Sequence, residues 1–248
     1  MLQAKNLMVF FENALALNDF SMELPDGEFR GVIGSNSAGK STLMHFLSGL
    51  IIDIRIKEKR KGGERITVMG EIQYNGEDIT HHSPSDRVKR GIVLCRERHP
   101  VFPESDVLEN LRIAGFLRTR KEIRVSMDFF FELFPPMKAH RKKRAGFLSG
   151  GEQQMLAIGM TLVAKPKLLL LDEPLLGLSP VFQKTLVNAV LRIRDDTGIT
   201  ILVTEQFARP LLPWLDYAYI IENGMLTMDG KGPELLENPE VRAAYFGV

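Results

Sequence analysis

A second cysteine and a long apolar run are both missing from this chain, and each absence sets a limit. Cys95 has no other thiol to pair with, so an internal disulfide is excluded, and no metal-ligand spacing surrounds it. His45, His81, His82, His99 and His140 likewise form no metal spacing. No stretch approaches the roughly 18 to 20 apolar residues of a membrane span. The N-terminus lacks the charged start, apolar run and small-residue cleavage site of a signal peptide. A soluble, cytosolic chain is expected. An excess of either charge is also absent: 32 Lys and Arg oppose 31 Asp and Glu, a net charge of +1, which argues against a surface that coats nucleic acid.

What is present suffices for a folded core, with 248 residues of which 44% are apolar. The most specific stretch is Gly34-Ser35-Asn36-Ser37-Ala38-Gly39-Lys40-Ser41, which fits GxxxxGK[ST] at every specified position. Phe29–Ile33 before it reads as a buried strand. Leu43, Phe46, Leu47 and Leu50 after it recur at helical spacing. A glycine-rich turn between strand and helix aims successive N–H groups and the positive end of the helix dipole at an anion. The pattern implies a bound nucleoside triphosphate, with Lys40 reaching the β- and γ-phosphates and Ser41 offering its hydroxyl to a magnesium ion.

Two further motifs narrow the chemistry. Leu168-Leu169-Leu170-Leu171-Asp172-Glu173-Pro174 ends an apolar strand in two carboxylates, and strand alternation is expected to send them to opposite faces. Asp172 suits magnesium; Glu173 suits a base that polarises water for attack on the γ-phosphate. Leu148-Ser149-Gly150-Gly151-Glu152 starts a helix with an N-cap serine, a second anion site without a lysine of its own.

Around these motifs the chain reads as one α/β domain. Residues 1–30 suit a small antiparallel sheet. A strand at 199–204, with Leu186, Ala189, Val190 and Ile193 marking the helix before it, suggests a βαβ crossover, and Asn223-Gly224 signals a hairpin. Three helical patterns, 108–117, 127–134 and 152–163, run without a strand between them. The expected division is an α/β core with an N-terminal β subdomain over 1–102 and 164–248, and an inserted helical subdomain over 103–163. Phe129, Phe130, Phe131 and Phe134 are assigned to the core of that insert. The basic run 53–65 reads as a solvated loop or exposed helix face.

In the order and spacing of its three motifs the chain resembles the ATP-binding subunits of ABC transporters, with Leu148-Ser149-Gly150-Gly151 as the specific part. The resemblance extends over essentially the whole length. Locally the wording is similar to the LivF-like ATPases of branched-chain amino-acid importers. Glu97 with Val101-Phe102-Pro103 and Glu109-Asn110-Leu111 stands where most relatives carry glutamine. Gly177-Leu178-Ser179-Pro180, Thr204-Glu205-Gln206 and the closing Val241-Arg242-Ala243-Ala244-Tyr245-Phe246-Gly247 also resemble that group.

This resemblance implies a head-to-tail pair of ATPase subunits, of one kind or two, working on transmembrane permease subunits at the inner face of the membrane. No nucleic acid and no direct contact with the solute are expected. ATP would lie on Phe11, Gly34, Asn36, Ser37, Ala38, Gly39, Lys40, Ser41 and Thr42 of one subunit, covered by Leu148, Ser149, Gly150, Gly151 and Glu152 of the other. Magnesium would be held by Ser41, Glu97 and Asp172, with Glu173 and Gln206 serving hydrolysis. Gln206 replaces the usual switch histidine and cannot carry its charge, so no titration from this position is expected near neutral pH. Ser37 replaces a glycine, a restriction on the loop if the position requires positive φ. The basic run is longer than the family pattern and has no assigned role. Two other readings compete: a soluble ABC-type ATPase in a non-transport assembly such as iron–sulfur cluster biogenesis, and a small-molecule kinase, which would leave Ser149-Gly150-Gly151 unexplained.

Overall fold

The computed structural model describes all residues except Glu64, His99, Gly247 and Val248, and the backbone but not the side chain of Phe246. The expectations that touched those residues, the charge of Glu64, the spacing of His99 and the end of the C-terminal resemblance, lie outside the described residues.

Strands β1 (Leu2–Phe11) and β2 (Ala14–Leu24) form an antiparallel hairpin. The turn at Pro25-Asp26-Gly27 then sends β3 (Phe29–Ile33) into a different sheet. Helix α1 (Lys40–Leu47) follows the glycine-rich loop, and α2 (Leu50–Lys61) follows at once. β4 (Ile66–Tyr74) returns antiparallel to β1, and the short β5 (Glu77–Asp78) completes a four-stranded sheet of order β2-β1-β4-β5. Next come α3 (Pro84–Arg90), β6 (Ile92–Cys95), and three helices in succession, α4 (Val107–Ala114), α5 (Arg120–Leu133) and α6 (Gly150–Val163). The chain closes with β7 (Leu168–Asp172), α7 (Pro180–Thr197), β8 (Thr200–Glu205), the hairpin β9 (Tyr217–Glu222) and β10 (Met225–Gly230), then α8 (Gly232–Glu237) and α9 (Pro239–Phe246).

The second sheet has the order β10-β9-β3-β8-β7-β6 and is parallel except at the β10 edge. A parallel sheet needs cover on both faces, and β7 shows it residue by residue. Leu169 and Leu171 join one apolar cluster, with α4–α7, while Leu168 and Leu170 join the other, with α1 and the antiparallel sheet. The α/β core, the antiparallel N-terminal sheet and the helical insert are all present, and the four phenylalanines pack in or against the first cluster.

Two local expectations are corrected, and two further segments receive their place. Leu50 does not extend α1, because Gly49 at φ 79 breaks the helix and starts α2. A Cβ at Gly49 would come within 2.9 Å of the His82 carbonyl and 3.0 Å of Arg87 Nε. Helix α5 begins at Arg120, not 127, because Thr119 and Glu122 form a capping box that lengthens it. The basic run, expected as a solvated loop or an exposed helix face, is mostly the helix α2, with Arg55, Lys57, Lys59, Arg60 and Lys61 exposed. The third strand of the N-terminal sheet comes from Ile66–Tyr74, which the sequence reading left unassigned.

Behind the glycine-rich loop lies Arg87, fully buried, donating to the carbonyls of Phe46, Leu47, Ile79, Thr80 and His82 at 2.7–3.2 Å. It caps the C-terminal end of α1, where carbonyls lack helical partners and the dipole favours a cation. Burial lowers its pKa to about 10.

Candidate functional site

The tips of β3, β7 and β8 are adjacent, and in this arrangement ligands bind beyond the carboxyl ends of the strands. In-register pairing sets Asp172 beside Thr204 and Ile33 beside Glu205. The two acids grow from the tip of β7, and the residues of the loop after β3 and of the first turn of α1 face them.

The loop is shaped by close backbone approach. A Cβ at Gly34 would lie 2.4 Å from the Ile221 carbonyl, so only glycine fits. Gly39, at φ 105, caps α1 without any side-chain hydrogen bond, leaving the N–H groups of the first turn open to an anion. Ser37 does sit at positive φ, 64°, a strained conformation for a residue with a side chain. Ala38 is buried; Asn36 and Ser37 are exposed.

Lys40 is nearly buried, and its Nζ is fully engaged. It donates to the carbonyls of Gly34 and Ser35, each at 2.8 Å, and pairs with Glu173 Oε1 at 2.9 Å. Asp172 Oδ1 accepts from Thr204 Oγ1 at 2.7 Å and from Ser41 Oγ at 3.3 Å. Burial pushes the Asp172 carboxyl above its ordinary range, the Thr204 and Ser41 hydroxyls oppose that, and the charges of Glu173 and Glu97 add to it.

The two acids do not alternate across the sheet as strand geometry predicted. Glu173 lies past the end of β7 with φ 46, and this left-handed turn brings it to Lys40 while Asp172 faces Ser41. A cavity of about 290 Å³ results, lined by Ser37 and 39–42, by Phe11 and Ala16 from the first sheet, and by Glu173.

A sequence model of the ABC transporter family matches residues 17–176, the span holding the loop, Ser149–Gly151 and both acids. The chain belongs to the ABC transporter family. It is 39% identical over the full length of both chains to a high-affinity branched-chain amino acid transport ATP-binding protein, BraG, of Pseudomonas aeruginosa. It is 34% identical, over 100% of this chain and 99% of the relative, to a probable branched-chain amino acid transport ATP-binding protein, LivF, of Archaeoglobus fulgidus. Among solved structures, an ATP-binding cassette of an ABC transporter in its ADP conformation superposes with a TM-score of 0.82 at 25% identity, covering 100% of this chain and 99% of that one.

Within the ABC fold the remaining expected residues fall in two places. Glu97 follows β6, partly exposed, paired with Arg98 at 3.0 Å and close enough for its charge to act on Asp172. The segment after it is fastened by buried Asn110, which exchanges hydrogen bonds with the backbone of Phe102 at 2.7 and 3.0 Å. Thr42 and Phe11 reach the cavity wall; Gln206, half-buried just after β8, does not line it.

The segment from Leu148 to Glu152 is apart from the cavity. Ser149 and Gly150 are exposed, Leu148 is buried, and Ser149 with Glu152 forms a capping box at the start of α6. Glu152 also meets His140 Nε2 at 3.2 Å. Gly151 is packed against Phe182 of α7, where a Cβ would come within 2.6 Å of the ring. None of Leu148 to Glu152 lines the cavity at Lys40.

Sequence reasoning missed three contributors. Ala16 lines the cavity from β2, and nothing in its local sequence marks it. Thr204 and Glu205 were quoted only as part of a resemblance; their signal was the parallel register, which sets the tip of β8 beside Asp172. Glu205 is 3% exposed and accepts from the Leu175 N–H at 2.7 Å.

Proposed function

We propose that this chain is the ATP-hydrolysing subunit of an ABC importer for branched-chain amino acids or a related small polar solute. The observation that carries the reading is the convergence of Lys40, Ser41 and Glu173 on one cavity at the start of α1, with Asp172 accepting from Ser41 at its edge. The match to branched-chain amino acid transport proteins supports the solute class.

The triphosphate lies along the loop, its charge met by backbone N–H groups and the end of the α1 dipole. Lys40 is pre-aimed by two loop carbonyls. As the γ-phosphate arrives, Lys40 exchanges Glu173 for phosphate oxygen, and Glu173 is released to accept a proton from the attacking water. Phe11 offers its ring to the adenine. Gln206, beyond the tip of β8, donates its side-chain amide to the γ-phosphate.

A magnesium ion fits the donor set. Ser41 and Asp172 present hard oxygen atoms facing one another, and a magnesium site built on a nucleotide takes one or two carboxylates and completes itself with phosphate and water. Ser41 and Asp172 would hold it, with Glu97 reaching it through water, and it would neutralise charge on the β- and γ-phosphates. Thr204 fixes the orientation of Asp172 for this.

The exposed start of α6 serves the neighbouring ATPase subunit. The N–H groups of its first turn have no partners within the helix, and Ser149–Gly151 covers the phosphates held by that neighbour's loop. No helix among the described residues is long and apolar enough to cross a membrane, so permease subunits tether the pair to the inner face of the membrane.

The decisive experiment is Glu173→Gln. It should retain ATP affinity within about twofold while lowering turnover at least about 100-fold, and should trap a nucleotide-bound pair of subunits. Normal turnover in that variant removes Glu173 from the proposed role.

A further inference from the structure

Glu205 ends β8 beside the pocket, yet the chemistry above makes no use of it. Its polar atoms touch three separate pieces of the site. The backbone carbonyl accepts from the Gly34 N–H at 3.2 Å, the carboxylate accepts from the Leu175 N–H at 2.7 Å, and it also receives the Gln206 N–H. The residue before it completes the pattern: Thr204 takes the Glu173 N–H with its carbonyl at 3.1 Å and its hydroxyl at 3.2 Å. Consecutive residues of β8 therefore grip positions 173 and 175 of the neighbouring turn.

Burying an acid is an expensive way to satisfy two amide N–H groups, since a neutral side-chain acceptor would serve. The segment it holds is the one with a reason to move. Glu173 sits in a strained left-handed conformation, its side chain tied, among the described residues, by Lys40. When Lys40 turns to phosphate, that tie is lost.

We propose that Glu205 is a positioning residue for hydrolysis, clamping the 173–175 turn together with Thr204 so that the Glu173 carboxylate stays in place after Lys40 leaves it. The inference rests on the ATPase reading above and assigns a role that reading leaves empty. Two charged groups face the Glu205 carboxyl: Glu173 opposes its ionisation and Lys40 favours it. Burial is the largest influence, and together they push it up to about 8. Hydrogen bonds to an ionised acceptor are the stronger ones, so the clamp tightens as pH rises through that value.

The test is the steady-state kinetics of MgATP hydrolysis by the assembled transporter from about pH 6 to about pH 9. Glu205→Gln keeps the shape and one acceptor oxygen; its kcat should match the wild type at about pH 6 and fall about fivefold short of it at about pH 9 at unchanged KM, so that the alkaline rise of the wild-type rate vanishes. Glu205→Asp keeps the charge but falls short of Leu175, and should lose about tenfold or more in kcat. A wild-type kcat and pH profile in either folded variant overturns the proposal. So does a parallel loss of kcat and ATP affinity, which marks a residue that merely supports the pocket. Absence of ATP turnover in the wild-type complex would instead sink the underlying ATPase reading.

Discussion

Lys40 has a complete set of partners before any ligand arrives, and this determines what its removal does. Lys40→Ala takes away the cation for phosphate and leaves Glu173 buried beside an empty space. ATP affinity should fall about 100-fold, roughly 3 kcal/mol, in a titration with a fluorescent ATP analogue. Ser37 works in the opposite direction. Its φ of 64° costs a residue with a Cβ about 1 kcal/mol. Ser37→Gly should therefore raise the unfolding free energy by about that amount in denaturant melts. The positions of Lys40, Ser41, Asp172 and Glu173 were legible because loop, strand and carboxylates occur as contiguous motifs. The side on which Glu173 emerges was not, because alternation holds only inside a strand and Glu173 has left it. Glu205 was hidden for a different reason: its importance depends on register with a neighbouring strand, which no local pattern encodes.

Helix α6 is the element on which the insert packs, and past its exposed start it is largely buried. Gly159 lets α5 approach closely, since a Cβ there would stand 2.4 Å from the Phe130 ring. Gly159→Ala should destabilise the fold by about 1 to 3 kcal/mol in thermal or denaturant unfolding while leaving ATP affinity unchanged. The buried strand β7 and the hairpin of β9 and β10 were readable, the first from an unbroken apolar run and the second from its Asn-Gly turn. β4 was not, because Gly70 interrupts it with a φ of 102° where it bulges against β1. A Cβ at that position would strike the backbone of Lys5 and Asn6, so the residue that looks like a strand breaker is what allows the pairing. The early start of α5 was available in Thr119-x-x-Glu122, a capping box outweighed by the more obvious apolar periodicity further along.

Across the molecule, the parallel sheet sets the tips of β3, β8 and β7 side by side, and the acids gathered there leave a mark on overall stability. Glu205 is raised from 4.5 to about 8 in the fold. A carboxyl that binds its proton more tightly when folded contributes stability that is complete at low pH and disappears as pH climbs through that window. The thermal midpoint should thus decline between about pH 5 and about pH 8, and Glu205→Gln, always neutral, should show a shallower decline. The α/β architecture with its antiparallel sheet and helical insert was evident from the order of motifs. The strand order was not, since it is fixed by long-range pairings such as β3 between β8 and β9. One distant tie joins these layers with no chemistry of its own: the Arg87 guanidinium, gathering five carbonyls from α1 and the segment before α3. The helix proposed to greet phosphate at one end is bolted down at the other, which makes the cradle the anvil of the proposed machine and leaves its stroke to the pieces that strike it.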